Sequence, residues 1–148
     1  MDNSIYVSIA KDFDKYPGLR TYDISREKSG EYFYHQVLNE KFYEALTANK
    51  KLVVNLDGTA GYPPSFIDEA FGRLVYDFGA DLVKCHLEII SDEEPIWRDA
   101  IFGKTLTNWT ERKAEGRTPQ ITEEYSRAPW WHISKAENPI KISSYGEL

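Results

Sequence analysis

Short apolar runs along the chain predict three β-strands. Residues 5–10 (IYVSIA) are β-branched and aromatic, as is typical of strands. Residues 51–56 (KLVVNL) form an apolar run that is long enough for a buried strand and too short for a helix. A third apolar stretch, residues 82–90, predicts the third strand and contains the single cysteine, Cys85. We expect this thiol to be buried, because free cysteines usually are.

Apolar residues recur at helical spacing between and after these strands. One helix is predicted from Ser29, which can cap it, to about residue 48, and a second from about residue 66 to residue 78, followed by Gly79. A third begins near Asp92, with Pro95 in its first turn. This order of elements predicts an α/β fold in which helices pack on a central, mostly parallel sheet.

The length of the chain fits a single domain with a C-terminal extension. At 148 residues, with 41% hydrophobic residues, it can bury a core of ordinary size. The periodic pattern fades late in the chain, so we predict a domain over residues 1–110 and an extension over residues 111–148 that packs on it. In this extension, Trp130 and Trp131 either fill the edge of the core or anchor a partner.

Composition restricts the partners and the compartment. A formal net charge of −6 argues against direct binding of nucleic acid, which requires a basic face. No apolar run reaches the ~18–20 residues that cross a bilayer, and the N-terminus lacks the pattern of a signal peptide. A single cysteine fits the reducing cytosol. We therefore expect a cytoplasmic protein that does not bind membranes.

The triplet Asp57-Gly58-Thr59 follows a predicted strand, as in phosphatases that form an aspartyl-phosphate. The position of the nucleophile is occupied by Asn55, however, and a neutral amide cannot form that intermediate. The three histidines show no metal-ligand spacing, and no nucleotide-binding or hydrolase motif is present. We expect no catalytic residue, no metal and no cofactor, and a non-enzymatic role is favoured over an enzymatic one.

The same region resembles a regulatory family. A strand, a glycine-containing turn and a serine at the start of an apolar helix are the layout of STAS domains, the anti-sigma-factor antagonists. The closest resemblance is to a bacterial STAS-like family of uncharacterised function. Four blocks between residues 5 and 92 carry it: Pro17-Gly18-Leu19-Arg20, Ser29-Gly30-Glu31-Tyr32-Phe33, Asp57-Gly58-Thr59-Ala60-Gly61 and Ser65-Phe66-Ile67-Asp68-Glu69-Ala70-Phe71-Gly72.

The resemblance implies a STAS-like α/β sandwich with a regulatory role. Its partner would be a protein, such as a histidine-kinase-like ATPase. Ser65 aligns with the serine that is phosphorylated in STAS proteins. The residues themselves also allow a simpler role, because a serine hydroxyl can cap the helix that follows, with Asp68 at the third helical position.

Five further residues are candidates for binding a partner or a ligand. Arg20 can hold a carboxylate or phosphate, or can form an ion pair with an acidic residue such as Asp57. Asp57 and Gly58 follow a predicted strand, and Asp57 can instead accept bonds from the backbone N–H groups of the loop that follows it. Asp68 and Glu69 stand in the first turn of a helix, where negative charge complements the helix dipole.

Three functions follow from these candidates. The first is a regulatory domain that binds a protein through residues 58–65 and the loop containing Arg20. The second is a domain that binds or transforms a small molecule, with Arg20, Asp57 and Ser65 around one pocket. The third is a role beside a DNA-acting partner, which would require a basic stripe on the surface, formed by Lys11, Lys15, Arg20, Arg26 and Lys28.

Overall fold

A computed structural model describes residues 4–119, which contain a three-stranded parallel sheet. Its strands are β1 (Ser4–Ser8), β2 (Lys51–Asn55) and β3 (Leu87–Ile90), in the order β1-β2-β3. β2 pairs in parallel with both neighbours. Helices connect consecutive strands, as parallel pairing demands. The predicted α/β fold with a parallel sheet and packed helices is confirmed.

The helices pack on one face of the sheet. The register aligns Val7 with Val54 and Val54 with Ile89, and all three side chains lie in the hydrophobic core with those of the helices. On the opposite face, Tyr6 and Glu88 are exposed. The sheet therefore has a helix-covered face and a face with exposed side chains at both of its edges.

The helices fall mainly in the predicted segments. Ser29 caps the first long one, because its Oγ accepts a hydrogen bond from the backbone N–H of Tyr32 at 2.9 Å. Gly79 ends the second with φ 93°, a conformation that favours glycine. The helical elements in chain order are α1 (Ile9–Asp12), α2 (Tyr22–Ser25), a 3-10 turn (Arg26–Lys28), α3 (Gly30–Phe33), a π turn (Tyr34–Leu38), α4 (Asn39–Thr47), α5 (Pro64–Phe78), α6 (Ala80–His86), α7 (Ile96–Ala100), a second π turn (Ile101–Thr105) and α8 (Leu106–Ala114).

Two predictions for residues 82–90 were wrong. The first half of this run belongs to α6, and only the four residues of β3 form a strand. Leu82 and Val83 are buried on the inner side of α6, whereas Cys85 lies on its exposed side. We predicted a buried thiol because a continuous apolar strand would be buried along its whole length. In a helix, successive residues point to different sides, so Cys85 can be exposed although Leu82 and Val83 are buried. The prediction that the next helix begins near Asp92, with Pro95 in its first turn, was also wrong, because that helix begins at Ile96 and Pro95 is its N-cap.

Two glycines allow α5 to lie very close to its neighbours. A β-carbon on Gly30 would lie 2.7 Å from the carbonyl oxygen of Phe66, and one on Gly72 would lie 2.1 Å from the ring of Trp109. α3 and α8 therefore pack closely on α5. α8 runs past residue 110, so the predicted domain boundary falls inside a helix. Within residues 4–119, no helix has the length and apolar character needed to span a bilayer.

Candidate functional site

Asp57 and Gly58 join the loops that follow β2 and β3. Asp57 Oδ1 accepts a hydrogen bond from the N–H of Glu93 at 3.0 Å, and Oδ2 accepts one from the N–H of Asp92 at 3.2 Å. In return, the N–H of Gly58 donates to Glu93 Oε1 at 2.9 Å. Asp57 therefore accepts backbone N–H groups as expected, but the donors belong to the loop after β3 and not to the loop that follows Asp57.

Arg20 forms an ion pair, but its partners differ from the one we named. Its Nη1 lies 3.0 Å from Asp68 Oδ2 and 3.0 Å from Glu69 Oε1, both in α5. Partial burial alone would lower the pKa of Arg20, but the hydrogen bonds to the two carboxylates raise it above its ordinary value. The predicted pairing with Asp57 was wrong, because Asp57 is engaged by backbone N–H groups after β3.

The Arg20 loop, residues 13–28, is held in place by backbone hydrogen bonds. The N–H of Gly18 donates to the carbonyl of Lys28 at 2.7 Å, and the N–H of Glu31 donates to the carbonyl of Arg20 at 2.9 Å. The N–H of Leu19 donates to Ser25 Oγ at 2.8 Å. These bonds tie the middle of the loop to its own end and to α3. The loop consequently presents its side chains from a defined backbone.

The Arg20 loop nevertheless exposes large apolar side chains. Tyr16 is 65% exposed, Leu19 46% and Ile24 65%. Large apolar side chains that protrude from one ordered segment can serve as anchors for a binding partner. Arg26, in the same loop, has φ 51° and ψ −127°, which is strained for a residue with a side chain. The loop therefore combines backbone strain with exposed apolar groups.

A buried ionic network lies beneath the Arg20 loop. Arg73 is 1% exposed, and its Nε donates to Glu69 Oε2 at 2.7 Å. Its Nη2 lies 3.8 Å from Glu31 Oε2, and His35 Nε2 lies 3.7 Å from that same oxygen. Burial lowers the pKa of His35 to about 4, so its ring is neutral near pH 7. Glu69 therefore connects half-buried Arg20 to charges in the core.

The network was not predicted from the sequence. Its only local signal is the spacing of four residues between Glu31 and His35 and between Glu69 and Arg73, which places each pair on one helix face. Charged residues at the same spacing also occur on solvent-exposed helix faces, so the spacing does not indicate burial. Only the crossing of α3 over α5 shows that both pairs face each other in the interior.

Asp68 connects the Arg20 loop to α8. While Oδ2 accepts from Arg20, Oδ1 accepts a hydrogen bond from Trp109 Nε1 at 3.1 Å. Trp109 is 2% exposed and fills the space left by Gly72. The acidic pair of the sequence motif thus acts as a connector between three segments. The principal contacts of this pair are with other side chains, and not with the dipole at the start of the helix.

Ser65 is the second residue of α5, and the prediction that it caps this helix was wrong. Pro63 is the residue that precedes the helix, Pro64 begins it, and no side chain caps it. The fixed φ of proline suits the first helical position, so Pro64 moves the start of the helix ahead of the serine. Ser65 is partly buried and precedes Asp68 and Glu69 by one turn on the same helix.

Arg20 and Asp57 have different partners in the structure. Arg20 contacts the first turns of α5, whereas Asp57 contacts the loop after β3. Of the proposed basic stripe, Arg20 is paired, and Lys28 Nζ lies 3.3 Å from Asp14 Oδ2. In the part of the chain that the structure describes, no cluster of His, Cys, Asp or Glu could hold a metal. Trp130 and Trp131 lie outside the described residues.

Comparison with known families identifies the central part of the chain. Residues 29–97 match the model of a family described as "STAS-like domain of unknown function (DUF4325)". The chain therefore carries a STAS-like domain in that segment, as the sequence motifs predicted. The matched segment contains α3, β2, α5 and β3, whereas the Arg20 loop and α8 lie outside it. No curated protein and no solved structure matches the chain.

Proposed function

We propose that this chain, which carries a STAS-like domain of unknown function, is a non-enzymatic regulatory protein that acts by binding another protein. The observation that carries this proposal is the Arg20 loop. It holds Tyr16, Leu19 and Ile24 in solvent while its backbone is fixed by hydrogen bonds and by the ion pair to α5. A preorganised loop with apolar anchors loses little entropy on binding, which favours recognition of a protein surface.

The proposed surface also includes the loop before α5 and the start of that helix. The N–H of Ala60 donates to the carbonyl of Lys15 at 2.8 Å, so this loop and the Arg20 loop touch. Ser65 follows directly in the first turn of α5. One partner can therefore contact the apolar anchors and Ser65 together.

The partner that the family resemblance suggests is a histidine-kinase-like ATPase. In that case, the γ-phosphoryl group of ATP passes to Ser65 Oγ, the hydroxyl loses its proton, and ADP is left. Phosphate adds about −1.5 to −2 charges at pH 7, next to Asp68 and Glu69. Such a change in charge at the proposed surface would switch binding of the partner.

Affinity capture from native cells, followed by purification of the captured partner, tests the proposal. The double variant Leu19→Ser/Ile24→Ser should weaken binding of that partner at least about tenfold, since loss of a buried anchor commonly costs more than 1 kcal/mol. Ile96→Ser is the matched control, because Ile96 is as exposed as Ile24, at 65%, but lies in α7. Equal affinities for all three proteins would contradict the proposed surface.

The serine switch is tested with the same captured material. Mass spectrometry should find a fraction of Ser65 phosphorylated, and the purified partner should bind the Ser65→Asp variant more weakly than the wild type. If Ser65 is unmodified in the presence of the partner and its ATP, the switch is excluded while partner binding stands on its own evidence.

A further inference from the structure

We propose that Arg20 receives the phosphate group of phosphorylated Ser65 and leaves Asp68 and Glu69 to do so. The exchange would convert a modification of α5 into a rearrangement of the Arg20 loop. This inference rests on the proposed serine switch and adds the residue that responds to it.

Helix geometry places Ser65 next to the current partners of Arg20. Asp68 and Glu69 follow it by three and four residues in α5, and residues at these spacings are neighbours on a helix surface, about 5–6 Å apart between β-carbons. One atom, Arg20 Nη1, contacts both carboxylates. A phosphate on Ser65 therefore enters the immediate surroundings of this guanidinium.

The balance of charge favours the exchange. Arg20 faces two carboxylates, and a phosphate would bring close to two further negative charges to the same place. A guanidinium can bind a phosphate bidentately through its planar fork, whereas Arg20 now uses one nitrogen, Nη1, for both carboxylates. The Arg20 side chain is 38% exposed, so its guanidinium can turn towards a new partner without displacing core residues.

Both released carboxylates keep another partner. Trp109 Nε1 continues to bind Asp68, and Arg73 Nε continues to bind Glu69. Neither carboxylate is then left buried without a hydrogen bond, which keeps the cost of the exchange low. The carbonyl of Arg20 accepts from the N–H of Glu31, so a movement of the Arg20 backbone that follows its side chain would disturb the attachment of the loop to α3.

The test uses the full chain with phosphoserine encoded at position 65, so that no kinase or partner is needed. Phosphorus NMR gives the second pKa of the phosphate, which is about 6 when unperturbed. We expect it to be about one unit lower with Arg20 present than in the Arg20→Gln variant, because a nearby cation favours the dianion. Arg20→Lys, which keeps the charge but not the fork, should give a pKa between the two.

A positional control separates a local contact from a general effect of charge. Phosphoserine in place of Lys84, an exposed residue of α6 near the amino end of the sheet, should show the same phosphate pKa with and without Arg20→Gln. Amide hydrogen exchange gives a second readout. In the wild type, phosphorylation at position 65 should speed exchange of the Glu31 N–H at least tenfold. In Arg20→Gln, phosphorylation should leave the exchange rate of this N–H unchanged.

The outcomes separate this inference from the proposed function. If the phosphate at position 65 has the same pKa in the wild type and in Arg20→Gln, Arg20 does not receive it, whatever the protein binds. If the pKa responds to Arg20 but no partner is captured from cells, the residue-level inference holds and the regulatory proposal fails.

Discussion

Gly72→Ala is the substitution whose effect follows most directly from the structure. Gly72 lies in the interior of α5, where an alanine would ordinarily stabilise a helix. Its added β-carbon, however, would lie 2.1 Å from Nε1 and Cε2 and 2.6 Å from Cδ1 of Trp109. Real β-carbons do not approach other atoms so closely. α8 must therefore move away from α5, or the indole must leave its place.

The magnitude combines three contributions. Overpacking of a filled core costs about 1–3 kcal/mol. Displacement of the indole also strains or breaks its hydrogen bond to Asp68, which contributes about 1 kcal/mol for a partly exposed carboxylate. The better helix propensity of alanine offsets up to about 1 kcal/mol. We expect Gly72→Ala to lower the free energy of unfolding by about 2 kcal/mol.

Urea unfolding followed by tryptophan fluorescence measures this change. A lower midpoint with an unchanged slope would report a loss of stability alone. Gly103→Ala is the matched control, since Gly103 also lies in a helical segment and its β-carbon would meet no atom within 4 Å. That variant should be as stable as the wild type or slightly more so.

A double-mutant cycle identifies the cause. In a Trp109→Leu background, where the smaller side chain leaves room, Gly72→Ala should cost at least 1 kcal/mol less than in the wild type, because the two sites are coupled. The reasoning would be refuted if Gly72→Ala matched Gly103→Ala in stability. If Gly72→Ala cost as much stability in the Trp109→Leu background as in the wild type, Trp109 would likewise be excluded as the cause.

Three further predictions concern the interior charges and the helix starts. Arg73→Met should lower the free energy of unfolding by about 3–5 kcal/mol in urea titrations at pH 7, since buried Glu31 loses its guanidinium partner and Glu69 keeps only that of Arg20; a loss below 1 kcal/mol would contradict the network. The pKa of His35 is lowered in the folded protein to about 4 from 6.5, so its contribution to stability is complete above pH 6.5 and is lost as the pH falls through 4. Wild type should therefore lose up to about 3 kcal/mol relative to His35→Gln between pH 7 and pH 3.5, and parallel pH profiles of the two proteins would exclude this. Ser29→Ala should cost about 1 kcal/mol because Ser29 caps a helix, whereas Ser65→Ala should change stability by less than about 0.5 kcal/mol; equal losses would restore a structural role for Ser65.

The buried network also constrains how variants of the Arg20 loop are interpreted. Glu69 binds Arg20 on one side and Arg73 on the other. Glu69→Gln would therefore disturb the surface and the core at once, and its effect on binding could not be assigned to either. Variants of Leu19 and Ile24, whose side chains lie in solvent, avoid this difficulty.

The sequence by itself determined the elements that depend on local chemistry. The apolar run of β2 and the helical stripe of α5 were predicted because their periodicity reflects burial directly. Ser29 and Gly79 were predicted as helix ends because a hydroxyl cap and a positive φ are properties of single residues. The motif blocks were sufficient to predict the STAS-like family.

Only the tertiary structure decided which residues meet. Arg20 and Asp68 are separated by 48 positions, so no local pattern could show that they pair or that Asp57 is engaged elsewhere. The exposure of Cys85 depends on which side of α6 packs inward. The contact of Gly72 with Trp109 depends on how closely α8 approaches α5. Periodicity along the chain records which side of an element is buried, whereas the identity of its neighbour is set by the packing of elements far apart in sequence.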